Sequence, residues 1–305
     1  MANQPHPSVE QALTEFADAA KSAADAVNKR AGRDIFIATA VAVVLLGVAA
    51  VCLLWFKWGL VAVIAAAIAG AQIEMGKVFT RVKAVKIALV PLITGSVLLT
   101  VAAYVTTIYP DAVPLVVLLW ISGLTIVAIL AMRLSGTIEG YVADVTHTLF
   151  LFVYPCLLAS AVIFMLGESD GAFRVAIFIV AIAAADTGGY LLGVIIGKHP
   201  IAPTISPKKS WEGLIGSFLL AGICVVLMTV FMMDQAWWKG LILAVTLVII
   251  GFLGDLVESV IKRDLGVKDM GTLIPGHGGI MDRVDSYILS AYPAWLLMMW
   301  LFPSV

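Results

Sequence analysis

Apolar runs of about twenty residues recur along the chain between residues 35 and 303. A helix needs roughly 20 such residues to cross a lipid bilayer. Hydrophobic residues make up 62% of the 305 residues and charged residues only 13%, against about 45–50% and about 25% in soluble domains. The sequence therefore predicts an all-α, polytopic integral membrane protein, because a large soluble core would lack the polar residues to cover its surface.

Nine membrane-spanning helices are predicted, and the loops between them are too short to contain a soluble domain. Residues 1–34 form a polar, weakly amphipathic tail, which either lies on the membrane or a partner, or is solvated. Residues 35–305 form one transmembrane domain. The nine predicted helices are 35–56, 58–76, 86–108, 112–132, 148–166, 172–196, 211–233, 237–261 and 284–303.

The basic residues indicate the orientation of these helices, since cytoplasmic loops carry an excess of Lys and Arg. With the N-terminal tail in the cytoplasm, only Lys57, Arg174 and Lys239 of the 19 Lys and Arg residues fall on the outer side. Removing one helix from the count would mix the two groups. We therefore expect nine helices, a cytoplasmic N-terminus and an outer C-terminus.

Acidic residues gather at two adjacent helix ends on the predicted cytoplasmic side. Asp255, Glu258 and Lys262 share one helical face, and Asp282 and Asp285 share another at the start of the last helix. Carboxylates at the membrane surface are costly unless they face water, a partner or a metal. The two faces could form an oxygen-ligand site for Mg²⁺. Alternatively, the acids only solvate the helix ends.

The loop between these helices carries cations and several glycines. Glycine permits close backbone approach, and exposed amide groups can bind phosphate oxygens. Lys and Arg neutralise phosphate charge. This combination favours phosphoryl or nucleotidyl transfer, although the same cations could simply be positive-inside anchors, and a lone histidine is weak evidence. The cationic residues and the histidine of this segment are Lys262, Arg263, Lys268, His277 and Arg283.

Asp186 stands apart, inside the predicted sixth helix. A carboxylate within the membrane indicates a functional site by default. The glycines that follow it, Gly188 and Gly189, could let another helix or a substrate come close. The alternative is a buried, hydrogen-bonded structural aspartate.

Three motifs resemble those of the phosphatidate cytidylyltransferases, also called CDP-diacylglycerol synthases. The segment from Ser259 to Asp285 contains Ser-x-x-Lys-Arg, Lys-Asp, His-Gly-Gly and Asp-Arg-x-Asp in the order of the full family signature. The stretch Ser206–Gly213 resembles a second family motif, with Ser210 where Thr is frequent. Asp186-Thr-Gly resembles a third. The resemblance covers roughly residues 35–303.

The resemblance implies a membrane enzyme that uses CTP and phosphatidic acid to make CDP-diacylglycerol and pyrophosphate for phospholipid synthesis. It implies Mg²⁺, K⁺ as a second cation, membrane lipid around a homodimer in the cell membrane, and no nucleic-acid partner. The implied metal ligands are Asp255 and Asp282, with Glu258 and Asp285. The implied catalytic residues are Asp255, Asp282, Lys262, Arg263, His277 and Arg283, and the implied substrate-binding residues are Ser206, Lys208, Lys209, Glu212, Asp186, Lys268, Gly278 and Gly279.

Two other functions use the same residue types. A lipid-alcohol kinase would transfer the γ-phosphoryl group of CTP instead of CMP. An ion-coupled transporter would use Asp186 and Asp255 as a relay, but the charges gather at one surface and no internal repeat is visible. The motifs favour cytidylyl transfer.

Overall fold

The computed structural model describes residues 44, 47–109, 113–132, 134, 138–271 and 278–303. A helix at residues 47–55 (α1) is the described part of the predicted helix 35–56. The predicted tail, 1–34, lies outside the described residues. The proposed boundary between tail and transmembrane domain therefore stays a prediction.

Helices make up most of the described chain, and their order follows the apolar runs of the sequence. The predicted fifth helix, 148–166, begins earlier than expected and is divided. Helix α5, Tyr141–Leu151, passes into a π-helical turn, Phe152–Leu157, and then into helix α6, Ala161–Gly167. Pro155 lies inside that turn, and proline cannot donate the regular backbone hydrogen bond of an α-helix. The other bounds are α2 Lys57–Lys83, α3 Leu89–Ile108, α4 Pro114–Met132, α5 Tyr141–Leu151, α6 Ala161–Gly167, α7 Gly171–Ile196, α8 Trp211–Met233, α9 Trp237–Asp264 and α10 Met281–Leu301.

Seven helical segments among the described residues are long and apolar enough to cross a membrane: α2, α3, α4, α5 with α6, α7, α8 and α9. Helix α10 forms where the ninth predicted helix was expected, but it is not among the seven. Its first turns carry Asp282, Arg283 and Asp285, and Pro293 lies within it. The chain is therefore a helical membrane protein with seven candidate spans in its described part.

A short β-hairpin interrupts the helices, so the all-α expectation is wrong at this point. Strand β1, Pro200–Ala202, pairs antiparallel with β2, Ser206–Ser210. Three prolines within residues 200–207 disfavour a helix there. Ser210 then ends β2 and caps α8, because its hydroxyl accepts a hydrogen bond from the Gly213 N–H at 3.1 Å. The hairpin is thereby fixed to the start of a membrane helix.

Helices α7 and α8 approach each other so closely that backbone meets backbone. A Cβ at Gly188 would overlap with the carbonyl oxygen of Gly216, and a Cβ at Gly216 would overlap with that of Gly188. Small residues allow this kind of contact between membrane helices. Helix α9 packs against α8 and α10, and strand β2 packs against α7 and α8.

Candidate active site

A cavity of about 290 Å³ lies beside the hairpin, between α7, α8, α9 and the first turns of α10. Its polar wall contains residues from two of the three sequence motifs, and Asp255 and Ser286 flank the third. Asp186 comes from α7, Asp255 from α9, and β2 adds four further residues. The polar and charged lining residues are Asp186, Ser206, Lys208, Lys209, Ser210, Ser217, Asp255 and Ser286.

Lys209 connects the hairpin to α9. Its Nζ lies 2.7 Å from Asp255 Oδ2 and 4.4 Å from the centre of the Phe252 ring. The same Nζ donates to the Phe252 carbonyl oxygen at 3.4 Å. Ser259, one turn further along α9, donates its hydroxyl to Asp255 Oδ1 at 3.4 Å. The ammonium group of Lys209 therefore lies at the cavity wall beside a carboxylate.

A second cluster joins α9 to α10 by buried charges. Lys262 Nζ contacts Glu258 Oε2 and lies 2.9 Å from Asp282 Oδ1. Glu258 is fully buried, and Asp282 is 9% exposed. Asp282 also accepts the backbone N–H groups of Gly279 at 2.9 Å and of Met270 at 3.1 Å. Such a buried pair is tolerated when further hydrogen bonds satisfy its atoms, as they do for Asp282.

The structure divides the acidic face that helical spacing predicts on α9. Asp255 points to the hairpin, whereas Glu258 and Lys262 face α10. Asp285 is buried, and its Oδ1 accepts the Ser286 N–H at 2.7 Å. A Cβ at Gly254 would lie 2.8 Å from the Asp285 carbonyl oxygen. Glycine at 254 therefore lets α10 approach α9 between the two clusters.

Four predicted site residues lie outside both clusters. Lys268 and Arg283 are exposed. Arg263 is exposed and donates from Nε to the Ile205 carbonyl oxygen at 3.2 Å, which connects α9 to the hairpin turn. The Glu212 carboxylate lies 2.5 Å from His199 Nδ1 and accepts the Lys198 N–H at 3.2 Å, so it holds the backbone that enters the hairpin.

The predicted loop residues are described only in part. Gly278 has a φ of 82°, a conformation that glycine adopts without strain. Gly279 donates to Asp282, as above, and a Cβ at Gly279 would lie 3.0 Å from Asp282 Oδ2. His277 lies in residues 272–277, outside the described residues.

Comparison with known proteins adds to this geometry. The model of the cytidylyltransferase family matches residues 36–302. The chain belongs to the cytidylyltransferase family.

Three relatives of this cytidylyltransferase-family chain carry the same name, phosphatidate cytidylyltransferase. The protein from Mycobacterium leprae is 45% identical over 161 residues, which are 53% of this chain and 52% of that protein. The protein from Mycobacterium bovis is 46% identical over 158 residues, 52% of each chain. The protein from Staphylococcus haemolyticus is 36% identical over 177 residues, 55% of this chain and 67% of that protein. The match spans about half the length of the mycobacterial relatives.

The carboxylates of the two clusters offer oxygen ligands, the type that Mg²⁺ prefers. This ion takes further ligands from substrate phosphates and water. Glu258 Oε1 is a buried carboxylate oxygen without a hydrogen-bond partner among the described residues. Within that part of the chain, however, no group of three or more His, Cys, Asp or Glu lies together as a metal site. A metal at this site would therefore take several of its ligands from phosphate and water.

A wider groove of about 590 Å³ adjoins the cavity and shares Gly189, Tyr190, Lys208 and Ser210 with it. Lys198 also lines this groove, as does Val194, whose side chain is 66% exposed on α7. The groove therefore joins the polar cavity to an apolar, outward-facing part of a spanning helix. Sequence reasoning assigned no role to Tyr190 or Lys198.

Sequence reasoning also assigned no role to Glu74 of α2. Its carboxylate is buried, 4% exposed, and accepts the Met281 N–H at 3.1 Å. The signal for this residue was a carboxylate inside an apolar, membrane-spanning run, which is costly without a specific partner.

Proposed function

We propose that this chain transfers CMP from CTP to phosphatidic acid, giving CDP-diacylglycerol and pyrophosphate for phospholipid synthesis. The observation that carries the proposal is the cavity in which Asp186 and Asp255 of two spanning helices meet Lys208 and Lys209 of the hairpin. Relatives that share the family bear the name phosphatidate cytidylyltransferase. A site of this kind has to hold two anionic substrates, one from water and one from lipid.

In the proposed reaction, a phosphate oxygen of phosphatidic acid attacks the α-phosphorus of CTP. The new bond joins that oxygen to the α-phosphorus, and the bond between the α-phosphorus and the bridging oxygen to the β-phosphorus breaks. Pyrophosphate leaves with the bonding electrons. The attacking phosphate is already ionised near neutral pH, so no general base is needed, and His277 positions phosphate rather than removing a proton.

Positioning and charge stabilisation then account for most of the catalysis, as in other phosphoryl transfers. Lys208 and Lys209, at the cavity wall, offset the negative charge of the two substrates. Lys262, Arg263, Lys268 and Arg283 add positive charge around the second cluster and the loop. Gly278 and Gly279 let the backbone of that segment come close to the Asp282 carboxylate.

We propose Mg²⁺ as the divalent ion of this site, with K⁺ as a second cation. Asp255 and Asp282 would hold the metal, with Glu258 and Asp285 as further ligands. When bound there, Mg²⁺ neutralises phosphate charge that lysines alone leave uncompensated.

The groove beside the cavity suits the lipid substrate. Its lining includes Lys198 and Lys208, which can pair with a phosphate, and exposed Val194 on α7. Phosphatidic acid could keep its acyl chains in lipid while its phosphate reaches the cavity. CTP would then enter from the aqueous side.

We further propose the complete arrangement that the sequence predicts: nine spanning helices in the cell membrane, a cytoplasmic N-terminus and active site, an outer C-terminus, and a homodimer. The seven candidate spans in the described residues support seven of these nine helices.

Labelled CTP tests the reaction directly. Purified protein is given phosphatidic acid, Mg²⁺ and CTP labelled at either the α- or the γ-phosphorus. We expect the α-label to enter the lipid product and the γ-label to leave as pyrophosphate. Entry of the γ-label into lipid would instead identify a kinase, and substrate flux across vesicles without CTP turnover would identify a transporter.

A further inference from the structure

Glu74 is placed where α2 meets the start of α10. Its Oε2 accepts the N–H of Met281, the first residue of α10, at 3.1 Å. One turn earlier on α2, Gly70 leaves room for Ile280, because a Cβ at Gly70 would overlap with Ile280 Cδ1. Gly70 and Glu74 thus form one docking face of α2, and a carboxylate from another helix caps the N-terminus of α10, where negative charge is favourable.

The same carboxylate lies between the two ends of the glycine-rich loop. A Cβ at Gly271 would overlap with Glu74 Oε1, and a Cβ at Gly279 would lie 2.5 Å from Glu74 Oε2. A Cβ at Gly279 would also lie 2.7 Å from the backbone nitrogen of Gly271. The two ends of the loop are therefore in contact with each other and with Glu74.

Asp282 holds this base of the loop from the opposite side. It accepts the N–H groups of Met270 and Gly279 at 3.1 and 2.9 Å, while Glu74 accepts that of Met281. Two carboxylates thus hold three backbone N–H groups at the loop base, those of Met270, Gly279 and Met281. A shift of the Met281 backbone would move Asp282, the next residue.

We propose that Glu74 is a positioning residue of the cytidylyl-transfer site: it fixes the base of the 271–279 loop and, through it, the place of Asp282. The inference rests on the proposed function. Glu74 contacts the loop backbone and acts on the reacting groups only through that loop. Its role differs from general packing because it accepts a backbone N–H and lies against two glycines of the loop base.

The test compares Glu74→Ala and Glu74→Gln with Gln72→Ala. Gln72 is a matched control: it is a fully buried polar residue of the same helix, and its Nε2 donates to Ser96 Oγ at 2.7 Å and to the Leu151 carbonyl at 3.1 Å, away from the loop. Three quantities are measured on purified full-length protein: the thermal unfolding midpoint, hydrogen exchange of peptides covering residues 266–282, and kcat and KM for CTP.

In Glu74→Ala, we expect the loop amides to exchange at least about tenfold faster than in the wild type and kcat to fall at least about tenfold. The thermal unfolding midpoint should change little. Gln72→Ala should leave loop exchange at the wild-type rate. Glu74→Gln, whose amide oxygen still accepts the Met281 N–H, should recover much of both properties.

Two results would overturn the proposal. One is wild-type loop exchange in Glu74→Ala, which would reduce Glu74 to a stability residue. The other is faster exchange with unchanged kcat, which would show that the loop base does not limit the reaction. If the wild-type protein transfers no CMP at all, the proposed function fails, and hydrogen exchange still decides whether Glu74 anchors the loop.

Discussion

The Asp282 side chain makes several of the contacts that hold this site together. It pairs with Lys262, accepts two backbone N–H groups and is almost fully buried. Asn at this position would keep the size but lose the charge and part of the acceptor capacity. We expect Asp282→Asn to lower CMP transfer at least about 100-fold, since removing one charge-stabilising group costs on the order of 3 kcal/mol.

Asp264→Asn is the matched control for this change. Asp264 lies 2.9 Å from Lys83 Nζ but is 68% exposed, and exposed ion pairs contribute little to stability. Turnover with CTP and phosphatidic acid should therefore stay near wild type in Asp264→Asn. Near-normal turnover of Asp282→Asn, with retained dependence on Mg²⁺, would contradict the metal-ligand assignment.

Site residues within contiguous motifs could be predicted from the sequence. Residues that reach the site only through contacts between distant helices could not. Asp186 and Lys209 were predicted from motifs and Asp255 from helical spacing, and the cavity brings the three together. Helical spacing placed Asp255 and Glu258 on one face, but spacing contains no information on which neighbour each side chain meets. Glu74 contacts a loop about 200 residues away, and only the packing of α2 on α10 reveals it.

At the level of elements, the contact between α7 and α8 fixes one wall of the cavity. Gly216 meets Gly188 backbone to backbone, so Gly216→Ala must push the helices apart. We expect a loss of about 1–3 kcal/mol, as for overpacking in other cores, seen as a lower thermal unfolding midpoint in detergent. Turnover should fall as well, because Gly213 and Ser217 of α8 line the cavity beside Asp186 of α7.

Gly222→Ala provides the comparison on the same helix, because nothing lies within 4 Å of a Cβ at that position. Alanine there should leave the protein unchanged or raise its stability by about 0.4–1 kcal/mol. Equal effects of the two substitutions would mean that helix propensity, rather than the close contact, controls stability.

The glycines of α7 and α8 were visible in the sequence, but the hairpin between these helices was not. Its two strands of 3 and 5 residues are too short to show a clear alternation of polar and apolar residues.

For the whole molecule, the charge pattern predicts which side each loop faces, and the described helices make that prediction testable. Three candidate spans, α7, α8 and α9, separate Ser169 from Lys268. If all three helices cross the membrane, these two exposed residues lie on opposite sides of it. The distribution of Lys and Arg then decides which side is cytoplasmic.

Single cysteines at these positions test the arrangement in a background without Cys52, Cys156 and Cys224. A membrane-impermeant thiol reagent should label Ser169→Cys in intact cells and Lys268→Cys only after the membrane is opened, because the 271–279 loop has to meet cytosolic CTP. The thermal unfolding midpoint of both variants in detergent is the control for folding. Labelling of both from outside would show that one of the three helices does not cross, and the reverse pattern would place the cavity on the wrong side for its nucleotide.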